Sequence, residues 1–169
     1  MERLFPDDFL TGLSAAVGFV VVNWSQVEIN LDYWSGIAFR QAGGNAIAKK
    51  LPRTFTNKVD FLQSCFGRLP TLATHRVEAT NLIARASKLA RTRNWLAHGV
   101  ITNYEPQEHL LTYIKLDSPQ RTVHSAANRV FRLHEILKAG EDIQDLVTEM
   151  LDLTNRLLQV ELNRSTPDT

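Results

Sequence analysis

The sequence predicts an all-α fold, a bundle of about four to five helices with a small β-hairpin inserted near residues 110–126. Three observations lead to this fold class: long runs of apolar residues spaced three and four apart, glycine and proline at the ends of those runs, and one segment of alternating apolar and polar residues. A chain of 169 residues that is 44% hydrophobic and 22% charged is long enough to bury a core. We therefore expect one domain over residues 1–169, with a polar tail from about residue 165.

The first helix is predicted from Asp7 onward, with a stop at Gly43-Gly44. Its apolar residues recur in steps of three and four, at Leu10, Leu13, Val17, Val20, Trp24, Val27, Leu31 and Trp34. Residues 13–22 form the one stretch that resembles a membrane span, but they are about half as long as the ~20 residues needed. Acidic Asp7 and Asp8 also stand where a signal peptide has basic residues. We expect residues 13–22 to belong to the core, with no membrane association.

Two further helices are predicted before the hairpin. Residues 56–57 are expected to cap the second helix, which Gly67 and Pro70 end. The third helix is expected to begin near Thr74 and to end at Gly99.

The hairpin is predicted from two short segments around a turn. Residues 110–116 alternate as a strand does, residues 117–120 have the composition of a turn, and residues 121–126 are the second candidate strand. From Phe131 the spacing is again helical and is interrupted only by Gly140.

Charge and cysteine content exclude several functional classes. The formal net charge of +1 argues against a broad surface for nucleic acid of any sequence, although it allows a small local RNA site. The single cysteine, Cys65, cannot form an intramolecular disulfide, so a reduced, cytoplasmic location is expected. No histidine has the spacing of a metal site with Cys or carboxylate ligands, and no glycine-rich phosphate loop is present. We therefore expect no metal and no cofactor.

The most informative segment is residues 91–99, which places Arg93, Asn94 and His98 together at the end of the third helix. Spacing alone is uninformative, because four Arg and His pairs in this chain have four to six intervening residues and about one is expected by chance. Three features distinguish the Arg93 pair. Asn94 precedes His98 by four residues and can share its helix face, Arg93 interrupts an apolar stripe, and His98 stands beside the terminating Gly99.

These residue types suit metal-independent RNA cleavage, in which the ribose 2′-hydroxyl attacks the adjacent phosphorus. His98 can transfer protons near neutral pH, and Arg93 can stabilise charge on the phosphorane. Asn94 could orient His98 or hold a phosphate or ribose oxygen. One histidine cannot easily act as base and acid at once. A second copy of the chain, related by a two-fold axis, would supply the other histidine.

A structural interpretation of the same residues stays open. Asn94 and His98 can cap helix carbonyls, and Arg93 can pair with Glu28 or Asp32 of the first helix. The protein would then be a catalytically inactive helical module for dimerisation or protein interaction.

At these residues the chain resembles the HEPN superfamily (higher eukaryotes and prokaryotes nucleotide-binding). These are all-α domains whose nuclease members carry Arg, often a polar residue next, and His after four to six intervening positions. The resemblance covers most of the chain as architecture and the six residues 93–98 as motif. It implies a homodimer with both motifs in one composite cleft, endoribonuclease activity on RNA without a metal, and a role as a toxin or phage-defence effector with a protein antitoxin or regulator. Arg93 and His98 would be catalytic, with Asn94 in support.

Two further observations qualify that resemblance. Members regulated by a partner nucleotidyltransferase have a tyrosine two positions after the motif histidine, where this chain has Val100, and Tyr104 is too far away to match. Arg85, Lys88 and Arg91 precede the motif on the same helix. They are candidate RNA-binding residues, and a solvated helix face is the alternative interpretation.

Overall fold

The computed structural model describes residues 5–117 and 125–165, and within them four α-helices and one antiparallel sheet are found. The elements, in chain order, are α1 (Asp7–Arg40), α2 (Phe55–Arg68), α3 (Arg76–His98), β1 (Val100–Glu105), β2 (Leu110–Asp117), β3 (Ser125–Arg132) and α4 (Leu133–Ser165). Short 3-10 turns at Gly44–Ala46 and Pro70–His75 lie between α1 and α2 and between α2 and α3. The predicted fold class, mostly helical with a small β insertion, is confirmed.

The β insertion has three strands where the sequence predicts a hairpin. The strand order is β1-β2-β3, with both neighbouring pairs antiparallel. β2 coincides with the first predicted strand. The second predicted strand, residues 121–126, lies mostly outside the described residues, as does most of the predicted turn, and β3 begins only at Ser125. Residues 127–130 of β3 are all exposed, so this edge strand lacks the alternation by which strands are recognised.

Strand β1 was not predicted, because its burial does not follow a period of two. A register shift between Ile101 and Asn103 interrupts the pairing of β1 with β2. Such a bulge moves the following side chains to the other face of the strand. Ile101 and Tyr104, three residues apart, are therefore the only half-buried residues of the strand.

The helices end close to the predicted residues, and the differences concern the cap of α2 and the role of Gly140. α1 ends at Arg40, close before Gly43, whose φ of 89° is in the left-handed region that favours glycine. The cap of α2 is Thr54, two residues before the predicted pair, and its Oγ1 accepts a hydrogen bond from the backbone N–H of Asn57 at 3.4 Å. Gly140 does not interrupt α4, and a Cβ at this position would collide with the ring of Phe19.

Packing divides the chain into two compact units. The first comprises the residues up to Trp24 together with Leu89–Ile143, and the second comprises Ser25–Lys88 with the residues from Gln144 onward. The first unit buries mainly Leu13, Val20, Trp24, Leu96, Leu111, Tyr113, Phe131 and Ile136. The second unit buries mainly Leu31, Trp34, Leu62, Phe66, Ile83, Leu146, Met150 and Leu153. The expectation of a single domain over residues 1–169 stays a prediction.

Helix α1 is apolar on more than its buried face. By length and composition α1 could cross a membrane, since one 18-residue window has a mean hydropathy of 1.3. Core helices of soluble proteins pass the same test, and 28% of that window is buried. Leu13, Ala16 and Val20 are buried, whereas Val21 and Val22 are 40% and 65% exposed. The interpretation of residues 13–22 as core therefore holds for one face of the helix only.

Gly99 ends α3 at the predicted place but for a different reason. Its backbone N–H donates to the carbonyl of Trp95 at 2.8 Å, and its φ is not in the left-handed region. A Cβ at Gly99 would lie 2.6 Å from that same carbonyl oxygen and 2.9 Å from Cδ1 of Tyr113. Glycine is needed here because the Trp95 carbonyl and the Tyr113 ring of β2 both lie too close to the backbone to leave room for a Cβ.

Gly99→Ala is therefore expected to destabilise the protein by about 1–3 kcal/mol, since backbone or the buried Tyr113 ring has to move. Gly18→Ala is the matched control in the same unit, because nothing lies within 4 Å of a Cβ at Gly18 in the interior of α1. That control is expected to stabilise the protein by about 0.5–1 kcal/mol. Urea unfolding measures both changes, and midpoints that shift in the same direction would contradict this explanation.

Candidate functional site

Arg93 is half-buried near the end of α3, in the first unit. Its Nη1 donates a hydrogen bond to Oδ1 of Asn94 at 3.0 Å, and its Cζ lies 5.8 Å from the ring centroid of Trp24. Trp24 is 2% exposed, so its ring offers a rigid apolar surface to the guanidinium. The amide of Asn94 and the indole of Trp24 thus both restrict the orientation of Arg93.

His98 is the last residue of α3 and its side chain is exposed. Within residues 5–117 and 125–165, no hydrogen bond or ion pair involves its imidazole. The prediction that this histidine stands at a helix end is confirmed. An exposed imidazole in this position can reach a bound substrate and exchange protons with it.

Asn94 contacts a different neighbour from the one that the sequence suggests. Its position four residues before His98 predicts a shared helix face, yet its side-chain oxygen accepts the hydrogen bond from Arg93. Sequence reasoning also missed Trp24 as the residue beside Arg93, although both residues fall on apolar stripes of their helices. The observed contacts make Asn94 a positioning residue for Arg93.

One of the two carboxylates considered as partners of Arg93 has another partner. Oδ1 of Asp32 forms an ion pair with Nζ of Lys58 at 2.6 Å. The Lys58 side chain is 9% exposed, so this pair satisfies a nearly buried ammonium group. Pairing of Glu28 with Arg93 stays a prediction.

The three candidate RNA-binding residues differ in their surroundings. Nη1 of Arg85 lies 2.7 Å from both carboxylate oxygens of Glu149, which balances its charge. Lys88 and Arg91 are exposed, and the described part of the chain contains no ion pair with either. Arg85 is therefore poorly suited to bind phosphate, whereas the charges of Lys88 and Arg91 are accessible.

Two buried side chains, Cys65 and Tyr113, are poorly suited to ionise at neutral pH. Cys65 is fully buried, and burial raises the pKa of its thiol to about 11, which disfavours the nucleophilic thiolate. Burial likewise raises the pKa of Tyr113 to about 12. Across the described residues, no group of three His, Cys, Asp or Glu side chains is arranged to hold a metal ion.

Comparison of the chain with protein-family models, with curated proteins and with solved structures found no match. Functional inference for this protein therefore depends on the chemistry of its own residues.

Proposed function

We propose that the protein is a metal-independent endoribonuclease, with Arg93, Asn94 and His98 at its active site. The observation that supports this most is a guanidinium restricted by Asn94 and Trp24, followed five residues later by an exposed imidazole at the helix end. A cation in a fixed orientation is suited to a phosphate, since a guanidinium can donate two parallel hydrogen bonds to it. The exposed imidazole of His98, at the end of the same helix, would supply proton transfer.

The proposed reaction needs only these residues and RNA. An imidazole removes the proton of the 2′-hydroxyl, and the 2′-oxygen forms a bond to the adjacent phosphorus. The bond from phosphorus to the 5′-oxygen then breaks, and that oxygen takes a proton from an imidazolium. The products are a 2′,3′-cyclic phosphate and a 5′-hydroxyl, and Arg93 stabilises the charge that develops on the phosphorane.

Base and acid are needed on opposite sides of the phosphorus, whereas each chain supplies one His98. We propose that two copies form a homodimer in which each His98 serves one of these roles. A cytoplasmic toxin or defence effector, held inactive by a protein antitoxin or regulator, is the biological role that fits such an activity.

The test of this function is cleavage of single-stranded RNA by the wild-type protein in excess EDTA. We expect cleavage of RNA and none of an oligonucleotide with the same sequence and 2′-deoxyribose throughout, because the nucleophile is then missing. The expected products carry 2′,3′-cyclic phosphate ends, which mass spectrometry identifies. Cleavage of the deoxy substrate, or no cleavage across a broad RNA panel, would contradict the proposal.

A second candidate function is a catalytically inactive module for dimerisation or protein interaction. The observation in its favour is the exposed apolar side of α1 in the first unit, where Leu10, Val21 and Val22 are 44%, 40% and 65% exposed. An inactive module would show self-association or partner binding that is unaffected by changes at Arg93 and His98.

A further inference from the structure

An open groove with a volume of about 630 Å³ lies within the second unit, along the C-terminal part of α1. Ile37, Leu51 and Leu158 supply apolar lining, and Tyr33 and Arg40 stand among them. None of these residues belongs to the proposed active site. The groove is therefore separate from the residues proposed for cleavage.

The guanidinium of Arg40 lies near Gly36, which also lines this groove. Its Nη1 lies 3.8 Å from the place that a Cβ on Gly36 would occupy, so the guanidinium folds back along the helix above a residue without a side chain. Throughout the described ranges, 5–117 and 125–165, no ion pair involves Arg40. Its charge is available to an anionic ligand.

The chain segment that supplies most of the groove lining is rich in basic residues. Five basic residues and no acidic residue occur between Tyr33 and Val59, in a protein whose net charge is only +1. The basic residues are Arg40, Lys49, Lys50, Arg53 and Lys58. Lys49, Lys50 and Arg53 are exposed and stand within two residues of Leu51 in the chain. Asp32, the acidic residue in the lining, forms an ion pair with Lys58, so these two charges cancel and four basic residues of the segment remain. An anion is therefore favoured in the groove.

The exposed ring of Tyr33 favours a nucleic acid over other anions in this groove. Tyr33 is 54% exposed, so an aromatic ring is open to solvent in a groove that Arg40 also lines. Proteins that bind single-stranded nucleic acid combine a positively charged groove with aromatic rings on which bases stack. An acidic peptide would use the charge but would not need the ring.

We infer that this groove binds a single-stranded RNA segment, with a base stacked on Tyr33 and a phosphate bound by Arg40. RNA as the ligand rests on the proposed ribonuclease function, whereas nucleic-acid binding itself rests on the groove. The groove would hold RNA independently of the residues that cleave it.

The test is the fluorescence anisotropy of a short labelled oligouridine RNA, measured in EDTA with His98→Ala protein so that cleavage does not interfere. Tyr33→Leu is expected to weaken binding about tenfold, since it keeps apolar bulk and removes the stacking surface. Tyr33→Phe, which keeps the ring, is expected to bind as the parent does. Arg40→Gln is expected to weaken binding and to reduce the slope of log Kd against log salt by about 0.7, the loss of one phosphate contact.

Arg68→Gln is the matched control, because Arg68 is an exposed basic residue of α2 outside the groove lining. An effect of Arg68→Gln as large as that of Arg40→Gln would overturn the inference, as would displacement of the RNA by polyglutamate as efficient as by unlabelled RNA. Binding that depends on Tyr33 and Arg40, with no cleavage by the wild-type protein, would reject the ribonuclease proposal and support the groove. Cleavage by the wild type with unchanged binding in both groove variants would reject the groove inference and support the ribonuclease proposal.

Discussion

Replacement of His98 by alanine is expected to lower the rate of RNA cleavage by about 100- to 10,000-fold, the usual contribution of a proton-transfer residue. The melting temperature is expected to stay the same. His98 is exposed at the last position of α3, and no hydrogen bond or ion pair involves its imidazole in the described part of the chain. Alanine therefore removes the proton-transfer group without disturbing packing. Initial rates on single-stranded RNA in EDTA measure the effect, and thermal unfolding checks the fold.

The matched control is His134→Ala, since His134 is an exposed histidine in the first turn of α4 and in the same unit. His134 lies outside the proposed site, so this variant is expected to cleave RNA at the wild-type rate. Equal activity of wild type and His98→Ala would reject the catalytic role, and so would equal losses in the two histidine variants. A His98→Gln protein separates proton transfer from hydrogen bonding, because an amide can bind phosphate but cannot act as a base.

Thr154→Val is expected to lower the free energy of unfolding by about 2–4 kcal/mol, because it removes the centre of a buried polar network. Oγ1 of Thr154 accepts a hydrogen bond from Nε1 of Trp34 at 2.7 Å. The same hydroxyl can donate to Oδ1 of Asn30 at 2.6 Å or to the backbone oxygen of Met150 at 2.8 Å. Trp34, Asn30 and Thr154 are 1%, 4% and 3% exposed, so water cannot replace the lost partner. Valine keeps the shape of threonine and leaves the indole N–H and the Asn30 oxygen without that partner.

Thr148→Val provides the comparison for this prediction. Thr148 lies on the same helix, and its hydroxyl likewise donates to a backbone carbonyl four residues earlier, but it is exposed and bridges no other element. Its replacement is expected to change stability by no more than about 0.5 kcal/mol. Urea unfolding of both variants gives the difference. If Thr154→Val costs no more than Thr148→Val, the buried network does not stabilise the second unit.

The two predictions concern separate parts of the molecule. His98 belongs to the first unit, whereas the network of Trp34, Asn30 and Thr154 belongs to the second. A loss of activity in His98→Ala at constant stability, together with a loss of stability in Thr154→Val, would separate chemistry from folding experimentally. The groove around Tyr33 and Arg40 also lies in the second unit, so the variants that test it change none of the residues proposed for cleavage beyond the His98→Ala background.

The helical elements were predictable because their signals are local and periodic. The residues of α1 in steps of three and four include Leu13, Val20, Trp24, Val27, Leu31 and Trp34, and all of these are buried. The stop of α1 was predicted because only a glycine readily adopts the positive φ of Gly43. The sequence also shows apolar residues off this stripe, such as Val21 and Val22, but it could not show that they are exposed, since spacing records which residues are apolar and not which are covered.

The sheet was less predictable because its strands depend on one another. β2 was predicted because it has the alternation of a strand, which buries Leu111 and Tyr113. β1 is interrupted by a bulge and β3 exposes four consecutive residues, so neither shows that alternation. Strand pairing is a non-local interaction, so an irregular edge strand leaves little trace in its own sequence.

The helical fold class, the position of Gly99 at a helix end and the placement of Arg93, Asn94 and His98 on one helix follow from the sequence, because each depends on residues a few positions apart. The tertiary structure was needed to show that Trp24 lies beside Arg93, that the Tyr113 ring lies against Gly99, and that Asp32 pairs with Lys58. It likewise decided that Tyr33 and Arg40 share a groove with Leu51 and Leu158. These contacts join distant parts of the chain, and which distant side chains meet is set by the packing of whole elements rather than by local spacing.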